Sequence, residues 1–251
     1  LDLYLDGSVA VCNHAHNGRS TETFRNEGHF DLIQKQLRPG DFVVIQFGHN
    51  DQKHPHLQAY NGYPENLRQF IAEIRAKKAL PILATPIARN TWTEQNGKLT
   101  YNDLLHDHAQ ACIALGKELN VPVLDLHQAA MEDIIRLGRD ASKIYYHQGD
   151  WTHTNDYGAV RAAGYAADAL RSLGGTFPEY LPLIQAVSAS IKPWKPEAAL
   201  LLEKPVRLAG VKGPNGTEEG TAAQDHQAEK DGGDALARLL AAVQSARGQG
   251  G

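Results

Sequence analysis

Short apolar runs alternating with stretches of helical spacing set the fold before composition is weighed. Between Val9 and Leu173 the runs are VAVCN (residues 9–13), DFVVIQFG (41–48), LPILATP (80–86) and VPVLDLH (121–127). Unbroken apolar strands, unlike alternating ones, belong in a sheet covered on both faces. The intervening residues 22–37, 65–78 and 101–120 are long enough for crossover helices, and 155–173 reads as a helix after the last strand. The expected fold is therefore α/β, a doubly wound parallel sheet of the flavodoxin-like three-layer α/β/α kind. Local punctuation supports these limits. Arg38-Pro39-Gly40-Asp41 turns into a strand, Asn120-Val121-Pro122 ends a helix, and Asn96-Gly97 between Trp92 and Leu99 marks a small hairpin.

After Pro182 the character changes. KPWKPEAALLLEKP is broken by proline, and residues 213–233 are rich in Gly, Thr, Glu, Gln and Asp. We expect an α/β domain over 1–185, a flexible linker over 186–233 and a short helix with its tail over 234–251. That helix would be capped by Asp234, with Leu236, Leu239, Leu240 and Val243 on one side. The chain opens on Leu1, and LDLYL reads as the end of a helix, so a segment is expected to precede it. No run approaches the roughly 20 apolar residues that span a bilayer, and the first residues lack the regions of a signal peptide. The expectation is a soluble chain with no membrane partner, its compartment unread. The formal charge of −4 with scattered Lys and Arg argues against a nucleic-acid partner. Cys12 and Cys112 have neither disulfide nor metal spacing and are both expected to be buried small hydrophobes.

In a parallel sheet, ligands gather at the carboxyl ends of the strands, and three polar clusters fall there. The first, Asn13-His14-Ala15-His16-Asn17-Gly18-Arg19-Ser20-Thr21, follows VAVCN. A glycine in a tight turn before a helix can aim its N–H at an anion, although a plain strand-to-helix turn would look the same. The second, Gly48-His49-Asn50-Asp51, follows DFVVIQF. An Asn side chain there can donate to a developing oxyanion, or simply make an Asx turn. The third is Asp150-Trp151-Thr152-His153-Thr154-Asn155. Asp and His three residues apart can meet, the carboxylate orienting an imidazole that serves as general base; a His near a helix start also serves as a polar cap.

Their order says more than any one of them. Gly18, Asn50 and Asp150/His153 after successive strands resemble the SGNH hydrolases, also called GDSL-like esterases. The strings NGRSTETF, GDFVVIQFGHNDQK, ATPIAR and DWTHTNDYGA resemble the rhamnogalacturonan acetylesterase branch of that family, over about Val9 to Leu173. The resemblance implies the oxyanion glycine at Gly18, the oxyanion asparagine at Asn50, the triad acid at Asp150 and the base at His153. It also implies a Gly-Asp-Ser block at the end of a first strand, and that block has no match, so the first strand is expected to be missing. Ser8 precedes VAVCN and is expected at the wrong end of that strand. Ser20 belongs to the oxyanion loop and is expected to be structural. A permuted chain, with PVRLAGV (205–211) as first strand, offers no serine at Gly210-Val211-Lys212-Gly213 and ranks below truncation.

The function expected is carbohydrate O-acetylesterase on acetylated, pectin-type polysaccharide by a serine-hydrolase route. No metal and no organic cofactor is expected, and ester hydrolysis by the chain as given is expected to be slow or absent. Arg89 suits a substrate carboxylate and Trp151 a sugar face; Trp92, Tyr60 and Tyr63 are expected with them as loop aromatics at the cleft end, where ordinary loop packing would look the same. Three other readings stand beside this one. One is a non-catalytic carbohydrate-binding remnant or an incomplete fragment. A nucleotide binder of similar architecture would need a phosphate loop that is absent. The pairs His14/His16, His54/His56 and His106/His108 raise a metal site, but no carboxylate or Cys spacing completes one, and 106 and 108 diverge on a helix.

Overall fold

Three of the four apolar runs join one parallel sheet, and the first does not. The computed structural model describes residues 1–187. Two compact units separate within them, Leu1–Ser142 together with residues 161–187, and Lys143–Val160. After a 3-10 turn at Asp2–Tyr4, the chain forms α1 (Thr21–Asn26), α2 (His29–Gln36), β1 (Phe42–Gln46), α3 (Gly62–Ala76) and β2 (Leu80–Ala84). A hairpin of β3 (Trp92–Gln95) and β4 (Lys98–Tyr101) follows, then α4 (His106–Leu119), β5 (Val123–Leu124), α5 (Leu126–Leu137), α6 (Asp156–Leu173) and α7 (Leu181–Ala186). The sheet order is β1-β2-β5, with Phe42 opposite Leu80 and Leu83 opposite Val123.

Residues 9–13, expected as a strand, take no strand conformation. Val11 is 43% exposed, and Cys12 is exposed rather than buried. A β-branched run becomes a strand only where a neighbour completes its ladder and covers its faces. Among the described residues nothing pairs with 9–13, and β1 has β2 as its one neighbour. The geometry that set Ser8 at a strand's amino end falls with that strand. Ser8 closes a turn instead, its N–H and hydroxyl donating to Oδ1 of Asp6 at 2.9 and 2.6 Å.

One face of the sheet carries the main core. In α3 the buried positions Tyr63, Leu67, Phe70, Ile71 and Ile74 recur at helical spacing and meet Phe24, Phe30, Ile45, Leu83, Cys112 and Leu115. Cys112 is thus buried as expected. The helix expected over 22–37 is divided because Gly28 takes φ +80°, a left-handed conformation that no α-helix continues through. On β2 both faces are covered, and the Tyr180 hydroxyl donates to the Pro81 carbonyl at 2.7 Å. β1 is covered less completely, with Val44 45% exposed. The run VPVLDLH supplies only a two-residue strand, because Asp125 caps α5 by accepting from the Gln128 N–H at 3.1 Å. The hairpin forms where Asn96-Gly97 indicated, with φ of +52° and +73° at those residues.

α5 and α6 are joined by Asp133, which is buried and accepts from Arg161 Nε at 2.8 Å, from the Tyr165 hydroxyl at 2.6 Å and from Arg136. Burial alone would raise its pKa, but Arg161, Tyr165 and Arg136 together hold it well below the usual carboxylate range. A carboxyl depressed in the folded state contributes stability that is full above its unfolded pKa, about 4, and is lost as pH falls through the folded value. Asp133→Asn should therefore flatten the acid limb of the urea midpoint measured from pH 7 to pH 2. An unchanged slope would place the acid sensitivity elsewhere.

The boundary expected at residue 185 falls within α7. The linker over 186–233 and the helix over 234–251 lie outside the described residues, apart from Ala186 and Val187. No helix among the described residues is long and apolar enough to cross a membrane.

Candidate active site

The loop leaving β1 is anchored by a carboxylate. Asp51 is 0% exposed; its Oδ1 accepts from the Thr21 N–H at 3.0 Å and the Thr21 hydroxyl at 2.5 Å, and its Oδ2 from the Gly48 N–H at 3.1 Å. The Thr21 hydroxyl in turn accepts from Asn66 Nδ2 at 2.8 Å. Burial raises the Asp51 pKa, and these hydrogen bonds oppose the rise. Asp51 therefore staples the Gly18–Thr21 segment to the Gly48–Asp51 turn. Gly48 is required there, since φ is +133° and an added Cβ would lie 3.0 Å from the Pro86 ring.

Gly18 and Asn50 are brought together by this staple. Gly18 has φ +73° with open space where a Cβ would point, so its requirement is conformational. Asn50 donates from Nδ2 to the Arg19 carbonyl at 3.3 Å and accepts at Oδ1 from Lys53 Nζ at 2.7 Å. Ser20 is buried and structural as expected: its hydroxyl caps α1 by accepting from the Thr23 N–H at 3.1 Å.

Arg89 enters from the loop after β2 and donates through Nη2 to the His49 carbonyl at 3.1 Å, bracing the residue before Asn50. The Tyr101 hydroxyl, on β4, donates to the Arg89 carbonyl at 2.9 Å. At the base of the hairpin, buried His127 faces the Pro86 carbonyl with Nδ1 at 3.1 Å and the Asp103 carboxylate with Nε2 at 3.0 Å. His127 thus holds the segments on both sides of the hairpin.

Of the aromatics, Tyr60 is 74% exposed, but Tyr63 corrects the sequence reading. It lies in α3 with no exposure, its hydroxyl on the Phe47 carbonyl at 3.1 Å, so it is core and not cleft. Trp92 is half-buried on β3, its Nε1 on Asn90 Oδ1 at 2.6 Å. His108 is buried against Tyr63, and His56 pairs with Glu22 at 2.9 Å. Among the described residues no group of three or more His, Cys, Asp or Glu could hold a metal ion.

The second unit carries Asp150 and His153. A bridge between Tyr146 and Thr154 closes a loop in which the His147 N–H donates to the His153 carbonyl at 3.1 Å. Asp150 Oδ1 accepts from the N–H groups of Thr152 and His153 at 2.6 and 3.0 Å, and its Oδ2 lies 2.7 Å from His153 Nδ1. Burial would raise the Asp150 pKa, but the Thr152 and His153 N–H groups and the imidazole hold it below the usual range. A carboxylate on Nδ1 fixes the proton there and leaves Nε2 as the basic nitrogen. Asn155 supports the loop, donating through Nδ2 to the carbonyls of Ile144 and Tyr146 at 2.9 and 3.0 Å and accepting from the Gly158 N–H at 2.9 Å. Trp151 is exposed on the same loop.

The sequence reading missed the work of Asp51, Lys53, His127 and Asn155. Only Asn155 had a local signal, as a cap before a helix. The other three act through partners distant in sequence or by a charge whose direction the string does not reveal.

Residues 3–161 match the family model described as GDSL-like Lipase/Acylhydrolase family, and the chain belongs to that family. It is an SGNH hydrolase, and the motifs place it beside the rhamnogalacturonan acetylesterases. "Rhamnogalacturonan acetylesterase RhgT" of Bacillus subtilis (strain 168) is 33% identical over 192 residues, 71% of this chain and 81% of that protein. "Probable rhamnogalacturonan acetylesterase YesY" of the same organism is 31% identical over 198 residues, 74% of this chain and 85% of that protein. The crystal structure of protein YXIM from Bacillus subtilis superposes with a TM-score of 0.59 at 30% identity, covering 68% of this chain and 48% of that one. This chain therefore spans about half the length of that protein.

Proposed function

We propose that the chain is a carbohydrate O-acetylesterase acting on acetylated, pectin-type polysaccharide. The observation that carries this reading is the Asp150 carboxylate 2.7 Å from Nδ1 of His153, an imidazole oriented for general-base work. The relatives named as rhamnogalacturonan acetylesterases support the substrate class. In this reading His153 takes the proton of a serine hydroxyl while that oxygen attacks the acetyl carbonyl carbon. The Gly18 N–H and Asn50 Nδ2 hold the oxyanion. Collapse expels the sugar oxygen, which His153 protonates, and a water activated by His153 then releases acetate. Arg89 contributes positive charge toward a uronate carboxylate, and Trp151 offers a ring to a sugar face.

A second reading, carbohydrate binding without turnover, is favoured by one observation. The described serine hydroxyls have local partners: Ser8 on Asp6, Ser20 with Thr23, Ser142 on the Gly138 carbonyl and Ser172 on the Asp168 carbonyl. We therefore expect the 251-residue chain to release acetate slowly. The test is acetate release from acetylated pectin by this chain, by its Ser8→Ala and His153→Ala variants, and by a version preceded by a strand ending in Gly-Asp-Ser. Slow release, lost in His153→Ala, indifferent to Ser8→Ala and accelerated by the added strand, is the expected result. Fast release abolished by Ser8→Ala would instead make Ser8 the nucleophile. Polysaccharide binding without release from any version would favour the second reading.

A further inference from the structure

Lys53 ends the 3-10 turn Asp51–Lys53, and its ammonium donates to Oδ1 of Asn50 at 2.7 Å. A carboxamide is usually ambiguous, because its oxygen and nitrogen have nearly the same shape. Here both ends are decided by chemistry. An ammonium can only donate, and the Arg19 carbonyl, 3.3 Å from Nδ2, can only accept. The amide therefore has one orientation, its oxygen on Lys53 and its nitrogen on the segment that begins with Gly18.

The nitrogen carries two hydrogens. One is directed at Arg19, and among the described residues of this unit no acceptor takes the other. A cation on the amide oxygen withdraws electron density and makes both N–H groups stronger donors. Burial first, and Arg89 second, lower the Lys53 pKa. An ammonium partly desolvated beside a second cation gains little for the fold, but it favours negative charge nearby.

We propose that Lys53 is a positioning residue that locks the Asn50 carboxamide with its second N–H available to an oxygen acquiring negative charge, such as an ester carbonyl oxygen under attack. The reaction rests on the esterase reading above; the lock is a property of the fold and is measurable without turnover. Lys53→Met keeps most of the stem and removes the charge, whereas Lys53→Arg keeps a cationic donor.

The experiment uses the full chain and reads two quantities. The first is the Asn50 side-chain amide pair in 1H–15N spectra, assigned by its loss in Asn50→Ala. The second is kcat and KM for p-nitrophenyl acetate, however slow the turnover. In Lys53→Met the Asn50 pair should move and exchange faster with solvent while the remaining spectrum stays in place. In the same variant kcat should fall about 10-fold with KM within about twofold, and Lys53→Arg should restore most of it. An unmoved Asn50 pair in Lys53→Met overturns the lock, and a moved pair with unchanged kcat overturns the positioning role. Absence of turnover both in the wild-type chain and in the version preceded by a strand ending in Gly-Asp-Ser overturns the esterase reading, and a moved pair would then still support the lock.

Discussion

Asp51→Ala is expected to destabilise the fold by about 3–5 kcal/mol and to lower Tm by about 10 °C, read by thermal unfolding at neutral pH. The substitution removes the acceptors for the Thr21 and Gly48 N–H groups and for the Thr21 hydroxyl, all of which are bound by this one carboxylate. Each buried donor left without a partner costs about 1–3 kcal/mol. Asp51→Asn should fall between wild type and Ala, because its oxygen can serve Thr21 while its NH2 then opposes the Gly48 N–H. The ionic term runs the other way. A carboxyl whose folded pKa is raised favours the folded state most at low pH and loses that contribution as pH rises from the unfolded to the folded value. The gap between wild type and Asp51→Asn should accordingly widen on acidification. Equal stability of wild type and Asp51→Ala would remove the staple from the account of the site.

Gly158→Ala is expected to cost about 3 kcal/mol, although Gly to Ala inside a helix ordinarily stabilises by up to about 1 kcal/mol. The added Cβ would lie 2.0 Å from the Tyr145 carbonyl oxygen and 2.9 Å from its carbon, so the obstacle is backbone and cannot rotate away. The segment displaced is the one that Asn155 ties in place and that leads to Asp150 and His153. Gly149→Ala is the control. Its Cβ would meet nothing, but φ is +77°, so it should cost only the left-handed penalty, about 1 kcal/mol. Chemical denaturation of the two variants tests the ordering, and a Gly149 variant as damaged as the Gly158 variant would show that backbone strain, not overlap, dominates this loop.

β1, β2, α3 and the hairpin were legible because their signals are local: apolar runs for β1 and β2, helical spacing in α3, and Asn96-Gly97 for the hairpin. Residues 9–13 carry the same apolar signal as β1 and yet form no strand, since pairing is supplied by a neighbour and not by the run itself. α5 was hidden because Leu126 and His127 extend the apolar reading of β5 beyond the cap at Asp125. Tyr63 looked like a cleft aromatic until the start of α3 at Gly62 turned it into the core. The order of Gly18, Asn50, Asp150 and His153 could be read directly because each lies in a compact string. Their bracing could not: Thr21 and Asp51 are 30 residues apart, and Arg89 and His49 are 40 apart. No window along the chain holds both partners.

The hairpin of β3 and β4 illustrates what such bracing leaves free. Its stem is tied through Tyr101 and Arg89 to the residue before Asn50, and its flanks are held by His127. Its tip at Asn96-Gly97 is solvent-exposed. Length and composition at the tip can therefore drift, or be grafted by design, with little mechanical effect on the loop below. The fold in this way offers a place where surface can change while the braced loop beneath it keeps its geometry.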